Sequence, residues 1–313
     1  MTSEKLISIV LPTYNEELNI PIISEEIKKV FSFLPKYDYE LIFVNDGSRD
    51  NSLFELEKAA KNNNKIKVIS FSRNFGHQLA LTAGYDYSKG DAVICMDSDL
   101  QHPPELIPEL IKQWEDGYDI VYTIRYSKNK IPLFRRWISD FFYYLINTIS
   151  DTKINQNAAD FRLISRSALD EFLKMRETNR FLRGMVGWIG FKTTSVEYEV
   201  KKRIHGKSSY STYRLLKFAI DAITSFSGAP LRFSFLFGLI TAFLSFIYGS
   251  YLIGLYLFGE NYVSGWLSVL VSILFLGGIQ LVFIGIVGEY IYKIYSEIKG
   301  RPLYVIDKKI NIN

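Results

Sequence analysis

The residues with the most chemical reach stand just after short apolar runs. Ala92 to Met96 leads into Asp97-Ser98-Asp99-Leu100-Gln101-His102, which sets two carboxylates one residue apart. Anions so placed repel unless something positive sits between them. A hard divalent cation, its shell completed by phosphate oxygens, is a natural partner for such ligands. The plainer alternative is a solvated turn in which one aspartate caps a helix starting near Pro104. A second acidic group follows another apolar run, in Asn45-Asp46-Gly47-Ser48, where a turn and a helix cap compete with a ligand contact. The loop Pro12-Thr13-Tyr14-Asn15-Glu16 contains no glycine, so it is neither a dinucleotide fingerprint nor a phosphate-cradling P-loop. Nicotinamide enzymes and P-loop kinases are thereby excluded.

Other metal chemistry finds little support. The three histidines, His77, His102 and His205, show no pair at metal-ligand spacing, which argues against zinc. His102 is either an axial contact to a metal held by the aspartates or a polar turn residue. Cys95 is the single cysteine, so it has no intrachain disulfide partner, and inside an apolar run it reads as a small buried side chain.

These groups need a scaffold that brings strand ends together. Ile7–Leu11, Glu40–Val44, Ile66–Phe71, Ala92–Met96 and Ile120–Tyr122 read as strands. Asn19–Phe33, Ser52–Lys61, Gln78–Tyr87 and Pro104–Trp114 read as the helices between them. The alternation predicts an α/β layer with a mostly parallel sheet, in which ligands bind outside the carboxyl ends of the strands. The chain has 313 residues, 48% of them hydrophobic, so a sizeable core is expected in a domain over residues 1–210. A net charge of +4 is too small for a protein that binds nucleic acid by neutralising phosphates, and no nucleic-acid partner is expected.

Charge is distributed unevenly. Phe233 to Phe258 and Tyr262 to Gly288 carry none, and each run is long enough as a helix to cross a hydrocarbon core of about 30 Å. We expect two transmembrane helices, at about 233–258 and 263–288 within a segment 232–292, joined at Gly259-Glu260-Asn261; a buried helical hairpin is the alternative. Arg214, Lys217 and Arg232 precede the pair and Lys293, Lys299 and Arg301 follow it. The positive-inside rule therefore puts both termini, including a tail over 293–313, in the cytoplasm. Residues 211–231 alternate polar and apolar positions at helical spacing, the pattern of an amphipathic helix in the bilayer interface. Met1 to Lys5 leads straight into the first strand, with no cleavable signal sequence visible. Gly277, Gly278, Gly285 and Gly288 allow close helix approach and suggest a homo-oligomer.

Taken in order, Pro12-Thr13-Tyr14-Asn15-Glu16, Asn45-Asp46-Gly47-Ser48 and Asp97-Ser98-Asp99-Leu100-Gln101 resemble the GT-A glycosyltransferases of family 2. Asp160-Phe161-Arg162-Leu163, then Arg203-Ile204-His205-Gly206-Lys207-Ser208-Ser209-Tyr210 and two membrane spans, resemble the polyisoprenyl-phosphate glycosyltransferases among them, the bactoprenol glucosyltransferase and dolichol-phosphate mannose synthase types. The resemblance covers nearly the whole chain. It departs at Asn45, where many relatives carry an aspartate, and at Ala158-Ala159, where relatives often have a small residue and glycine.

The resemblance implies a GT-A nucleotide-sugar-binding domain followed by interfacial helices and the two-helix hairpin, with a tetramer as one possible assembly. Pro12, Tyr14, Glu16 and Asp46 would line the nucleoside pocket, with Asp46 meeting the base. Asp97, Asp99 and Gln101 would hold Mg²⁺ or Mn²⁺ against the diphosphate, and Arg203 and Lys207 would stabilise the departing nucleoside diphosphate. Arg125, Arg135 and Ser139 would grip the phosphate of a polyprenyl phosphate acceptor, and Asp160 would serve as base or orient that acceptor. A lipid phosphate is already anionic at neutral pH, so strong base assistance is less needed than for a sugar hydroxyl.

The expected reaction is inverting transfer of a hexose at the cytoplasmic face of the plasma membrane. UDP-glucose is the leading donor, and GDP-mannose, UDP-galactose, UDP-N-acetylglucosamine and a UDP-aminoarabinose derivative remain open. A processive polysaccharide synthase shares the aspartate pair, but its Q-x-x-R-W-type motif and additional spans are not found. A membrane-anchored nucleotide-sugar sensor or scaffold is the non-enzymatic alternative.

Overall fold

A computed structural model describes residues 5–126, 158–199, 228–257 and 265–312. The expected juxtamembrane helix lies almost wholly outside them, as does the loop Gly259-Glu260-Asn261. The chain divides into two units. One holds the sheet and includes residues 301–313; the other comprises 216–300 with 149–151 and contains the long apolar helices.

The first unit alternates strand and helix as the sequence predicts: β1 (Lys5–Thr13), α1 (Asn19–Ser32), β2 (Tyr37–Asn45), α2 (Ser52–Asn62), β3 (Ile66–Phe71), α3 (His77–Tyr87) and β4 (Ala92–Cys95). A 3-10 turn at Pro104–Leu106 leads into α4 (Ile107–Glu115). β5 (Ile120–Tyr126), β6 (Ala158–Ser165), α5 (Arg166–Lys174), α6 (Leu182–Trp188) and β7 (Thr193–Glu199) follow. The strands form one sheet in the order β7-β5-β6-β4-β1-β2-β3 with an eighth strand, β8 (Ile306–Ile310), at the far edge. β1 pairs in parallel with β2 and β4, β2 with β3, and β5 with β7, whereas β6 and β8 run antiparallel to their neighbours.

Helices on both faces explain the composition of the central strands. Ile7, Ile9 and Leu11 of β1 and the intervening Val10 are all fully buried, the continuous apolar pattern of a strand covered on both sides. On α1, Ile20, Ile23, Ile27 and Phe31 recur at helical spacing and are buried. Gly84 lets α3 approach β1 closely, since a Cβ there would lie 2.1 Å from Cγ1 of Val10.

The expected tail contributes more than a tail. Its first residues belong to a helix that continues to Ile298, and its last form β8, which closes the open edge of β3. Tyr304 stacks on Phe71 with ring centroids 5.1 Å apart and donates a 2.6 Å hydrogen bond to Asp86. The amide of Ser72 donates to the carbonyl of Val305 at 3.1 Å. β8 escaped the sequence analysis because Asp307-Lys308-Lys309 makes it look like a solvated segment, as suits a strand on a sheet edge.

In the second unit, α7 (Ala229–Leu257) and α8 (Trp266–Ile298) have 29 and 33 residues, about 44 and 50 Å at 1.5 Å per residue. Phe237 and Phe283 pack edge to face, with centroids 5.8 Å apart. Both helices are long and apolar enough to cross a membrane, and their apolar windows are not buried by protein.

Candidate active site

Parallel pairing of β3, β2, β1 and β4 brings the loops that follow them to one edge of the sheet. β6 enters from the opposite direction and pairs Arg162 with Cys95. Asp160 and Asp97 each lie two residues from that pair, toward the same end of the sheet. The sequence expectations for Tyr14, Asp46, Asp97, Asp99 and Asp160 therefore converge on a single edge.

The first two loops are tied to each other. The amide of Asn15 donates to Ser48 Oγ at 3.0 Å, Arg49 donates its amide to Asn15 Oδ1 at 2.8 Å, and the Glu16 amide donates to Ser52 Oγ at 2.9 Å. Asn15 has φ 57°, a left-handed conformation that asparagine tolerates better than most residues. These bonds hold Tyr14, 42% exposed, at the rim and leave Pro12 buried beneath it.

Asp46 is given a structural task. It is 4% exposed, and its two oxygens accept the amides of Phe75 at 2.6 Å and Gly76 at 2.9 Å, so it organises the loop between β3 and α3. Burial pushes its carboxyl upward, against those two bonds. Gly47, at φ 63°, allows this approach: a Cβ there would stand 2.5 Å from the carbonyl carbon of Arg73.

Ser98 points inward and donates to the Pro12 carbonyl at 2.6 Å. Asp97 meets His77 Nε2 through Oδ1 at 2.9 Å, and its amide donates to His102 Nδ1, also at 2.9 Å. Burial raises the Asp97 carboxyl, and the neighbouring His102 and His77 more than offset it, leaving it at about 2. Burial likewise opposes charge on His77, but the bond and charge of Asp97 prevail and its imidazole is held above the ordinary range. Asp99, 7% exposed, accepts the amide of Gln101 at 3.1 Å.

The donors present fit a hard divalent cation, because both are carboxylate oxygens and Asp97 keeps its charge. Among the described residues no group of three or more His, Cys, Asp or Glu is placed to hold a metal. A cation here would draw further ligands from a bound phosphate, the habit of Mg²⁺ in nucleotide sites. His102 is fully buried and its Nδ1 accepts the Asp97 amide, so it shapes the turn that carries the aspartates.

Beside this pair lies a charge cluster that the sequence analysis missed. Asp160 accepts from Arg183 through both oxygens, Nε to Oδ1 and Nη2 to Oδ2, each at 2.9 Å, and from Arg162 Nη2 at 3.0 Å. Arg162 is 1% exposed and packs over Tyr122. Burial works against the Asp160 anion, but the two arginines outweigh it and hold the carboxyl far below the usual carboxylate range. Arg183 belongs to no recognisable motif; in its neighbourhood, Arg180-x-x-Arg183-Gly184, one basic residue precedes α6 and the other lies in its first turn. His77 was weighed only as a zinc ligand. Arg125 lies in β5, and Arg135, Ser139, Arg203 and Lys207 fall outside the described residues.

Both carboxylates have folded-state values below their ordinary 3.8. Each therefore contributes stability that is fully present above about pH 4 and is lost as pH falls through the folded value. For Asp97 that window runs from about 4 down to about 2. Acid unfolding of the metal-free protein followed by circular dichroism is expected to lose part of its steepness in this window in Asp97→Asn. An unchanged acid limb in the variant would contradict the charge environment described.

Residues 8–173 match the family described as glycosyl transferase family 2. An uncharacterized glycosyltransferase of Bacillus subtilis (strain 168), YkcC, is 42% identical over 305 residues, covering 97% of this chain and 94% of its own. The SfII prophage-derived bactoprenol glucosyl transferase of Shigella flexneri is 43% identical over 302 residues, with 96% and 97% covered. Among solved structures, the mannosyltransferase PcManGT from Pyrobaculum calidifontis, in complex with GDP-Man and Mn²⁺, is 16% identical with a TM-score of 0.49, covering 69% of this chain and 61% of its own.

Proposed function

The chain belongs to glycosyl transferase family 2 and is a glycosyltransferase with a GT-A sheet, and from that premise we propose that it transfers glucose from UDP-glucose to a polyprenyl phosphate with inversion. The observation that carries the acceptor assignment is 43% identity, over 96% of the chain, to a protein named bactoprenol glucosyl transferase. The site's chemistry agrees with it. An anionic acceptor needs no strong base, and Asp160, the carboxylate that the resemblance assigns to that task, is held by two arginines.

Asp97 and Asp99, with Gln101, would hold Mg²⁺ or Mn²⁺, which when bound neutralises the diphosphate of the leaving group. Tyr14, Glu16 and the Asp46-bound loop would frame the nucleoside; His77 would keep the Asp97 carboxylate aimed. Arg203 and Lys207 would add positive charge at the leaving group, and Arg125, Arg135 and Ser139 would receive the acceptor phosphate. Purified protein given UDP-glucose, UDP-galactose, UDP-N-acetylglucosamine and GDP-mannose with polyprenyl phosphate is expected to form a glucosylated lipid from UDP-glucose. Transfer from another donor would change the sugar assigned, and no lipid product from any donor would overturn the reading.

We also place both long helices across the bilayer. The chain leaves the sheet unit before α7 and returns to it as β8 after α8, so the number of crossings between them is even. With basic residues on both outer flanks, the sheet unit lies in the cytoplasm. A tag at Asn261 is expected to be labelled from outside the cell, and one at the C-terminus only after permeabilisation. The reverse labelling would put the site on the wrong side of its donor.

A further inference from the structure

Asp160 has two possible jobs: taking a proton, or holding something else in place. Its geometry favours the second. Both oxygens are occupied by guanidinium N–H groups in three charge-assisted bonds of 2.9 to 3.0 Å, the strong class of protein hydrogen bond. The two arginines differ in kind. Arg162 is sealed in the sheet, its side chain 2% exposed, and anchors Asp160 from behind. Arg183 comes from α6, its side chain remains 29% exposed, and the parallel two-bond grip fixes the plane of its guanidinium. β6 pairs Arg162 with Cys95, two residues before Asp97, so Asp160 and the planar cation it holds lie near the aspartate pair.

We propose that Arg183 is a phosphate-binding residue of the transfer reaction and that Asp160, anchored by Arg162, is the positioning residue that aims it. This rests on the glycosyltransferase reading above and deepens it. A guanidinium has five N–H donors in a rigid fork, so one edge can hold Asp160 while the group as a whole presents charge to a phosphate oxygen. The phosphate belongs either to the nucleotide or to the lipid acceptor, and two separate measurements distinguish them.

The test uses the full-length chain in nanodiscs and compares wild type with Asp160→Asn, Arg183→Gln, Arg183→Lys and the Asp160→Asn/Arg183→Gln double variant. Turnover and KM for polyprenyl phosphate are measured with UDP-glucose, and UDP affinity is measured by calorimetry with Mn²⁺. Asp160→Asn and Arg183→Gln are each expected to lower kcat/KM by about 10²-fold, the scale for losing one preorganised charge stabiliser. The double variant is expected to be no worse than either single one, because both remove the same unit. Arg183→Lys keeps the charge without the fork and is expected to recover only part of the loss.

A rise confined to KM for the lipid assigns the phosphate to the acceptor; weakened UDP binding assigns it to the donor. Losses that multiply in the double variant, or a full-activity Arg183→Gln, would overturn the proposal. So would a kcat that in wild type falls with acid on a carboxylate-like limb absent from Asp160→Asn, since that marks a base. Wild-type protein inactive with every donor would instead overturn the function itself. Retained Mn²⁺-dependent UDP binding, or an unchanged melting profile, separates a lost function from a lost fold.

Discussion

Arg162→Met lowers the stability of the sheet unit by about 3–5 kcal/mol, the cost of removing one partner from a buried ion pair. The stem of methionine fills much of the space, so packing is largely kept and electrostatics decides the outcome. What is lost is the deeper of the two cations that stabilise Asp160, whose side chain is 14% exposed. The guanidinium also hydrogen-bonds the Asp160 carbonyl at 3.4 Å and covers the ring of Tyr122, so one substitution loosens β6 against both β4 and β5. At roughly 2–4 °C per kcal/mol for a unit of this size, the melting temperature falls by about 6–20 °C.

Arg176→Gln is the control. Its pair with Asp86 is as short, at 2.7 Å, but the arginine is 47% exposed, where such pairs contribute under about 1 kcal/mol. Adding Asp160→Asn to Arg162→Met is expected to restore part of the loss by neutralising the stranded anion. A melt of Arg162→Met within 2 °C of wild type, on the scale just used, would mean that the buried pair does not hold β6.

The contrast between Arg162 and the aspartate pair shows what a sequence exposes. Asp97 and Asp99 were legible because they follow an apolar strand at a two-residue spacing, and strand ends in a parallel sheet meet at one edge. The α/β order was legible for the same reason, since hydrophobic period and turn residues are local signals. Arg162, by contrast, sits inside an apolar strand pattern; it shares a strand face with Asp160 two residues earlier, but that this face is buried depends on β6 lying between β4 and β5. Arg183 comes from more than twenty residues further on and meets Asp160 through tertiary packing. Nor could spacing reveal that Asp46 spends its oxygens on the Phe75 and Gly76 amides, because that bond spans two loops whose closeness depends on β2 lying beside β3. β8 pairs across more than two hundred residues, beyond any periodicity.

Asp97→Asn and Asp99→Asn each reduce transfer by about 10²–10³-fold, or about 2.7–4 kcal/mol of transition-state stabilisation, while leaving the fold in place. The shape of the side chain is nearly kept in both. At position 99 an asparagine oxygen still accepts the Gln101 amide, so the turn survives. At position 97 the amide–His102 bond belongs to the backbone and is untouched, but the charge that favours protonated His77 disappears. What neither variant would supply is a second anion for the cation, and among the described residues no group of three or more His, Cys, Asp or Glu is placed to make up the loss. Breaking the bond between the sugar and the nucleotide leaves growing negative charge on the diphosphate, so a weakly held metal costs most in the transition state and less in ground-state binding. Turnover should therefore fall further than UDP affinity, and the Mn²⁺ concentration for half-maximal activity should rise. Asp160→Asn should leave Mn²⁺-dependent UDP binding unchanged if Arg183 serves the acceptor. Wild-type turnover and an unchanged Mn²⁺ response in both Asp97→Asn and Asp99→Asn would reduce the pair to a turn and remove the metal from the mechanism.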